Sequence, residues 1–247
     1  MRKLLTDAAR TLAPPRQDPH GPLPPLLLTL TVVTGLVDAV SYLALGHVFV
    51  ANMTGNVVFL GFALAGAEGL SATASVVAMT AFLAGALAGG RFGTRFAAHR
   101  GRLLAAATAL QAVLVAVTVA VALVPDDDGD VTTRVRYALI VLLGLAMGLQ
   151  NAVARRLGVP DLTTTVLTLT LTGLAADSTT AGGASPRPGR RVLSVLAMLV
   201  GALTGTALLR HTALALTLTL ALLLLTAVSA TVYRLSTAAP AWTRPQS

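Results

Sequence analysis

Residues 34–66 read TGLVDAVSYLALGHVFVANMTGNVVFLGFALAG, and this stretch decides the fold class. It is apolar enough to enter a bilayer, yet it carries one acid, Asp38, and two amides, Asn52 and Asn56. Acidic and amide groups are costly in hydrocarbon, so inside a membrane segment they usually face a partner helix or a water-filled cavity. The Thr54-Gly55-Asn56 centre indicates a broken or closely packed helix and not a simple anchor.

Composition places the whole chain in the same class. Hydrophobic residues make up 55% of the 247 residues and charged residues only 11%, and the mean hydropathy is +0.77. Soluble domains carry about 25% charged residues, so we predict an all-α, polytopic membrane protein whose main partner is the lipid bilayer. The formal charge of +8 comes from short arginine clusters between apolar segments, which argues against a nucleic-acid partner.

Eight apolar segments follow one another along the chain. A membrane span needs about 20 residues, with about 17 as the lower limit. The sixth segment is too short and rich in threonine, and the second is interrupted by Asn52 and Asn56. We therefore predict six full spans plus two short or broken membrane segments. The eight segments are 26–46, 48–66, 72–96, 102–124, 134–154, 162–176, 191–209 and 212–233.

The distribution of Lys and Arg over the loops favours six spans over eight. With six spans and both termini inside, 15 basic residues lie inside and 3 outside, whereas eight spans give 11 and 7. Positive charge concentrates in cytoplasmic loops, so the six-span arrangement is preferred, in the cell membrane with both termini cytoplasmic. The tails are then 1–25, which is Pro-rich, and 234–247, and residues 125–133 form an acidic external loop. Within the first tail, RKLLTDAARTL is either disordered or a short interfacial helix.

The two membrane halves, 26–124 and 134–233, resemble each other. GLVDAV at 35–40 matches GLQNAV at 148–153, and GALAG at 85–89 matches GALTG at 201–205, while the offset drifts from 113 to 116. Three crossings per half would make the repeats inverted about the membrane plane, and the eight-span alternative would make them parallel. Inverted repeats with interrupted helices are typical of secondary transporters.

The stretch GLVDAVSYLALGHVFVANMTGNVVFLG also resembles the signature of the YoaK family of bacterial membrane proteins, also called the DUF1275 family. The resemblance extends over about residues 26–233, and its most specific part is ANMTGN at 51–56. It implies an integral membrane protein with about six spans and carries no settled function. The family's second-half Thr-Gly-Thr pattern reads Thr168-Leu169-Thr170 here, without the glycine.

Several polar residues are candidates for a substrate site between the repeats. Asp38 suits proton coupling, although a structural hydrogen bond is the alternative. Gly55 permits an irregular backbone, and the side chains around it could bind an ion or a polar solute or, equally, join helices. The other candidates are adjacent amides at the end of the fifth segment and a threonine that packing alone could explain. The full set is Asp38, Asn52, Thr54, Gly55, Asn56, Gln150, Asn151 and Thr168.

These patterns rank the function classes. The four histidines are scattered, no cysteine is present, and no nucleophile elbow or phosphate-binding loop occurs. We therefore expect no enzyme activity, cofactor or metal, and an intramembrane enzyme ranks last. A transporter for a small polar metabolite ranks first, with coupling to a proton through Asp38 as an option, and a non-transporting scaffold or sensor is the alternative. The sequence leaves open whether the protein is a homo-oligomer.

Overall fold

The computed structural model describes residues 2–124, 132–165, 167–237 and 241–244. The predicted acidic loop at 125–133 lies outside these residues, except for its last two. The described residues form nine α-helices, two short 3₁₀ turns and no β-strand. The helices are α1 (Arg2–Leu12), α2 (Leu23–Ala44), α3 (Met53–Leu64), α4 (Ala72–Arg95), α5 (Arg100–Ala122), α6 (Thr133–Leu157), α7 (Leu167–Ala176), α8 (Pro188–His211) and α9 (Leu214–Ser236).

Six of these helices are long and apolar enough to cross a membrane. They are α2, α4, α5, α6, α8 and α9, with 22 to 25 residues each, and at 1.5 Å per residue each exceeds the roughly 30 Å of hydrocarbon. The other two apolar helices, α3 and α7, have 12 and 10 residues, so they reach only about 18 and 15 Å. The predicted all-α fold with six full spans and two short membrane segments is confirmed.

Helices α2 and α6 lie at the centre, and most of their length is buried against other helices. Helix α2 packs along α8, α4 along α6, and α5 along α9. Glycines set two of these crossings. A Cβ at Gly35 would collide with the backbone of Met198 in α8, and one at Gly148 would collide with the backbone of Phe82 in α4. Small residues at a crossing let two membrane helices approach to backbone contact.

The residues that form one of these crossings are equivalent in the sequence repeat to the residues that form the other, with the same offsets. Gly201 in the second GALTG motif lies against Val32, and Gly85 in the first GALAG motif lies against Leu145. Each half therefore presents its GLxxAV motif to the GALxG motif of the other half. Both small-residue motifs therefore pack helices closely.

The bundle has two distinguishable ends. At the first, Arg100 at the start of α5 donates through Nη2 to the carbonyl of Leu157 at the end of α6, at 2.6 Å. His20, just before α2, lies within range of the charges of Arg100 and of Arg190 at the start of α8. We call this the Arg100 end. At the other end, Gly46 after α2 lies beside Arg136 at the start of α6.

The described parts of both tails pack on the helix bundle. Residues 2–12 form α1, which packs on the start of α8 where Gly189 leaves no room for a side chain. The carboxylate of Asp7 accepts a hydrogen bond from the backbone N–H of Arg190 at 3.0 Å. Of the two alternatives for RKLLTDAARTL, the structure has the helix. After α9, Trp242 packs against Gly21, so the two tails contact each other at the Arg100 end.

Candidate functional site

Asp38 lies in α2 and holds the segment that follows this helix. The residue is 7% exposed, and its Oδ1 accepts a hydrogen bond from the backbone N–H of Ala51 at 3.0 Å. The N–H of Val50 also hydrogen-bonds to the carboxyl. Residues 45–52 are not helical. From residue 48 onward their backbone N–H groups lack the usual i−4 partners, so they need others at membrane depth. Asp38 supplies two of them.

Asn56, in the first turn of α3, binds the same segment. It is fully buried, its Oδ1 accepts from the backbone N–H of Phe49 at 2.9 Å, and its Nδ2 donates to the carbonyl of Phe49 at 2.6 Å. One side chain thus satisfies both backbone groups of a non-helical residue. Gly55 makes room for the same residue, because a Cβ there would lie 2.7 Å from the Phe49 ring.

A cavity of about 300 Å³ lies between α2 and α8, beside the segment 45–52. Asp38 forms part of its wall, and Asn52 is exposed at its rim. Helix α8 contributes Met198, Ala202 and Thr206. The volume is at the small end of the range for ligand pockets, about 300–1,000 Å³, so the cavity suits a small solute. The structure therefore brings two of the predicted site residues, Asp38 and Asn52, to one cavity.

Asn151 in α6 occupies the position that matches Asp38 in the repeat. Its Nδ2 donates to the carbonyl of Met147 at 2.9 Å, and its Oδ1 accepts a hydrogen bond from the hydroxyl of Thr165. Thr165 belongs to the non-helical residues 158–165 that lead toward α7. In both halves, the side chain at this position therefore holds the segment before the short helix.

Gln150 lies in a separate polar cluster between α2, α5 and α6. It is 3% exposed, its Oε1 accepts from Nε2 of Gln111 at 2.8 Å, and its Nε2 donates to Oγ1 of Thr34 at 2.9 Å. Thr34 lies one turn before Asp38 on α2, so this cluster ends close to the cavity. Sequence reasoning missed Gln111, although it is the lone amide in the predicted segment 102–124 and carries the same signal as Asn56.

The two predicted site threonines lie away from the cavity. Thr54 on α3 and Thr168 on α7 are both exposed, and neither lines the cavity beside Asp38. The buried threonine of α7 is Thr170, with 7% exposure. Because each of them is exposed on a short apolar helix, Thr54 and Thr168 have no evident role in a common site.

Helix α7 is fastened to α8 by Arg191. The Nε of this guanidinium pairs with Asp161 at 3.0 Å, its Nη1 pairs with Asp177 at 2.8 Å, and Nη1 also donates to the carbonyl of Gly173. Arg187 binds the second carboxylate oxygen of Asp161 at 2.9 Å. Through these ion pairs, Asp161 holds the segment before α7, and Asp177 the end of α7, near the start of α8.

Within the part of the chain that the structure describes, no three His, Asp or Glu side chains lie close enough together to hold a metal ion. The buried polar residues include carboxyl, amide and hydroxyl side chains between the apolar helices, and three arginines, Arg100, Arg190 and Arg191. Together with the six long helices, they define a polytopic α-helical membrane protein.

Comparison with known proteins gives the family. The model of the family described as "Protein of unknown function (DUF1275)" matches residues 26–231, so the chain belongs to that family, as its ANMTGN motif predicts. It is 34% identical over 157 residues to the "UPF0700 transmembrane protein YoaK" of Bacillus subtilis (strain 168). That match covers 62% of this chain and 65% of the relative's length. No solved structure matches the chain.

Proposed function

We propose that the protein is a small-solute transporter whose substrate binds in the cavity between α2 and α8. The observation that carries this proposal is a buried acid, Asp38, in the wall of a cavity between two spanning helices, with Asn52 exposed beside it. Acids within membrane spans mark ion pathways and proton relays more often than they anchor structure. Asn52 would bind a polar group of the substrate, and Asp38 would carry a coupling proton.

The transport cycle would use the two halves as inverted repeats. Gly46 follows the end of α2 and Arg136 begins α6, and these residues are neighbours, which supports an antiparallel arrangement of the two equivalent helices. The matched contacts of Gly35 with α8 and of Gly148 with α4 support a two-fold relation between the halves. Rocking of one half against the other about these crossings would expose the cavity to each side in turn.

The same proposal assigns the sides of the membrane. The Arg100 end collects the arginines that begin α5 and α8 and end α6, together with both tails. Under the positive-inside rule this end faces the cytoplasm, so both termini are cytoplasmic and the segment 45–52 lies toward the outside. The localisation would be the cell membrane.

One specific observation favours the alternative, a non-transporting scaffold or sensor. Both amide atoms of Asn56 and the Oδ1 of Asp38 are bonded to the backbone of residues 49–51. A purely structural role for these side chains would leave Asn52 as the only predicted site residue free to bind a solute in the cavity. A variant that removes Asn52 without touching the segment's hydrogen bonds separates the two interpretations.

The test begins with ligand binding to the purified full-length protein. Thermal unfolding is followed against a panel of small metabolites at pH 5.5 and 7.5, because a ligand at a hundredfold its Kd stabilises the folded state by about 2.7 kcal/mol. We expect at least one polar metabolite to stabilise the protein, and Asn52→Ala to abolish this shift. Thr54→Ala, an exposed change outside the cavity, is the control and should leave the shift unchanged.

Uptake into proteoliposomes then tests transport of the metabolite so identified. We expect a pH gradient to accelerate uptake by the wild-type protein and to have no effect on Asp38→Asn. If no metabolite in a broad panel binds, or if uptake persists unchanged in Asn52→Ala and Asp38→Asn, the proposed site is wrong and the scaffold interpretation is favoured.

A further inference from the structure

A second cavity, of about 380 Å³, lies at the Arg100 end, apart from the cavity beside Asp38. It is enclosed by the end of α4, the start of α5 and the end of α6, and two cations line it, Arg100 and Arg156. Arg156 is exposed, with its side-chain stem packed over Gly93 of α4. The proposed transport function uses neither arginine.

Arg100 is buried and has no carboxylate partner among the residues that the structure describes. The residue is only 6% exposed. Its guanidinium donates to the carbonyls of Leu157, at 2.6 Å, and Trp242, at 3.4 Å, and its Nη2 lies 3.4 Å from Nδ1 of His20.

The three ion pairs among the described residues involve Arg187 and Arg191, and neither Arg100 nor Arg156. A buried cation without an anion is costly, so an anion in this cavity would stabilise the arrangement.

An apolar groove of about 650 Å³ adjoins this cavity and runs between α5 and α9. Phe96 lines both features. Alanines of α5, among them Ala105 and Ala109, form much of the groove. Its polar lining residues are Arg102, Thr226, Ser229 and Tyr233. Cation and tyrosine side chains sit at the headgroup level of bilayers, whereas the alanine face lies deeper, where lipid chains are. The groove therefore joins an interfacial basic site to the hydrocarbon.

We propose that the cavity and the groove together bind one anionic phospholipid. Arg100 and Arg156 bind the headgroup phosphate, Arg102 binds its second charged or polar group, and one acyl chain lies along the alanines between α5 and α9. An anionic phospholipid fits this site because its negative charge complements the three arginines. All three lack a carboxylate partner in the described part of the chain. Basic pockets between helix ends on the cytoplasmic side are known to suit anionic headgroups. This inference is independent of transport.

Titration with lipid tests the headgroup site. The full-length protein is purified in detergent and delipidated, and its unfolding midpoint is followed as dioleoylphosphatidylglycerol or dioleoylphosphatidylcholine is added to the micelles. We expect phosphatidylglycerol to stabilise at a lower mole fraction than phosphatidylcholine. Arg156→Gln and Arg102→Gln should each weaken the apparent affinity for phosphatidylglycerol about fivefold, which corresponds to the ~1 kcal/mol that one arginine contributes at an anionic surface.

Arg155→Gln is the matched control, because Arg155 is exposed, adjacent to Arg156 and outside the cavity. It should leave the affinity unchanged. Equal stabilisation by both lipids, or an equal loss in Arg155→Gln, would show diffuse surface charge and overturn the proposal. Stabilisation by inorganic phosphate at the same concentration as by phosphatidylglycerol would assign the cavity to a free anion and likewise overturn it.

A second pair of variants tests the acyl-chain groove. Ala109→Phe fills the groove and should weaken phosphatidylglycerol binding at least fivefold. Ala84→Phe, at an exposed alanine of α4 that lines neither feature, should not. If Ala109→Phe binds phosphatidylglycerol as tightly as the wild type, no acyl chain occupies the groove and the proposal of a lipid site fails.

Discussion

Asp38 and Asn151 occupy matching positions in α2 and α6, and each hydrogen-bonds to the non-helical segment that precedes a short membrane helix. Asp38 accepts from the backbone N–H of Ala51, and Asn151 accepts from the hydroxyl of Thr165. The position therefore has a structural role in both halves. Of the two side chains, only the carboxyl can exchange a proton, so any coupling at this position would use the first half.

The shared role predicts that Asp38→Asn is a mild substitution for folding. An amide Oδ1 still accepts from Ala51, so we expect the free energy of unfolding to fall by about 1 kcal/mol or less. Asp38→Leu removes the acceptor and leaves backbone N–H groups unpaired in the bundle, which should cost about 1–3 kcal/mol per group. Unfolding in mixed micelles with increasing denaturing detergent measures both. Equal losses in the two variants would contradict a hydrogen-bonding role for this side chain.

Asn56→Ala is predicted to destabilise the protein strongly. It leaves both the N–H and the carbonyl of Phe49 without their partner, at a cost of about 2–4 kcal/mol. Thr54→Ala, two residues earlier and exposed, should change the free energy of unfolding by less than about 0.5 kcal/mol. The same unfolding assay compares the two, and a loss in Thr54→Ala as large as that in Asn56→Ala would be inconsistent with the bidentate pairing.

The part of this fold that the sequence could predict is local. Six spans follow from length and apolarity alone, and α3 and α7 are recognisable because each is too short to cross. The amide of Asn56 at membrane depth indicated that it must have a partner. The partner is the backbone of Phe49, and it could not be predicted because the pairing depends on where α2 ends and how the chain turns back.

Contacts between distant segments were harder to anticipate. The pairing of Gln111 with Gln150 depends on how α5 and α6 pack, and no periodicity in either helix encodes that partner. The N-terminal helix α1 is marginal by its own propensity, and its place on α8 depends on the bare backbone at Gly189. The ion pairs of Asp161 could not be predicted because the arginines that bind it, Arg187 and Arg191, lie in another segment.

Glycine substitutions test the matched helix crossings. Gly148→Ala places a methyl group against the backbone of Phe82 in α4, so the helices must separate, at a cost of about 1–3 kcal/mol. Gly35→Ala should cost a similar amount at the equivalent crossing. Gly90→Ala is the control, because nothing lies within 4 Å of a Cβ there, and it should be neutral or stabilise α4 by up to about 1 kcal/mol. The unfolding assay ranks the three, and a loss in Gly90→Ala matching the others would contradict the close crossings.

The stability of the Arg100 end should depend on pH through His20. Burial, followed by the positive charge of Arg100, lowers the pKa of His20 below its ordinary 6.5. Arg190 and Arg187 act in the same direction, and Asp18 opposes them. The folded protein thus binds this proton less readily than the unfolded chain, so the contribution of His20 to stability is complete above pH 6.5 and is lost as the pH falls through the lowered pKa.

The measurement is the unfolding midpoint between about pH 7.5 and 5. We expect it to fall on acidification in the wild-type protein and to fall less in His20→Gln. His211→Gln, at an exposed histidine at the far end of α8, should retain the wild-type dependence. A pH dependence that is unchanged in His20→Gln would show that other groups account for it.

Cysteine labelling tests both the span number and the orientation, because the chain has no cysteine of its own. Single cysteines at the exposed positions Thr6, Glu68 and Ala98 are treated with a membrane-impermeant reagent in intact cells and after permeabilisation. With six spans and a cytoplasmic Arg100 end, Glu68→Cys reacts in intact cells, and Thr6→Cys and Ala98→Cys react only after permeabilisation. With eight spans, Glu68→Cys would lie inside and Ala98→Cys outside, whereas Thr6→Cys would remain inside. A bundle in the opposite orientation would reverse all three, so each arrangement gives its own labelling pattern.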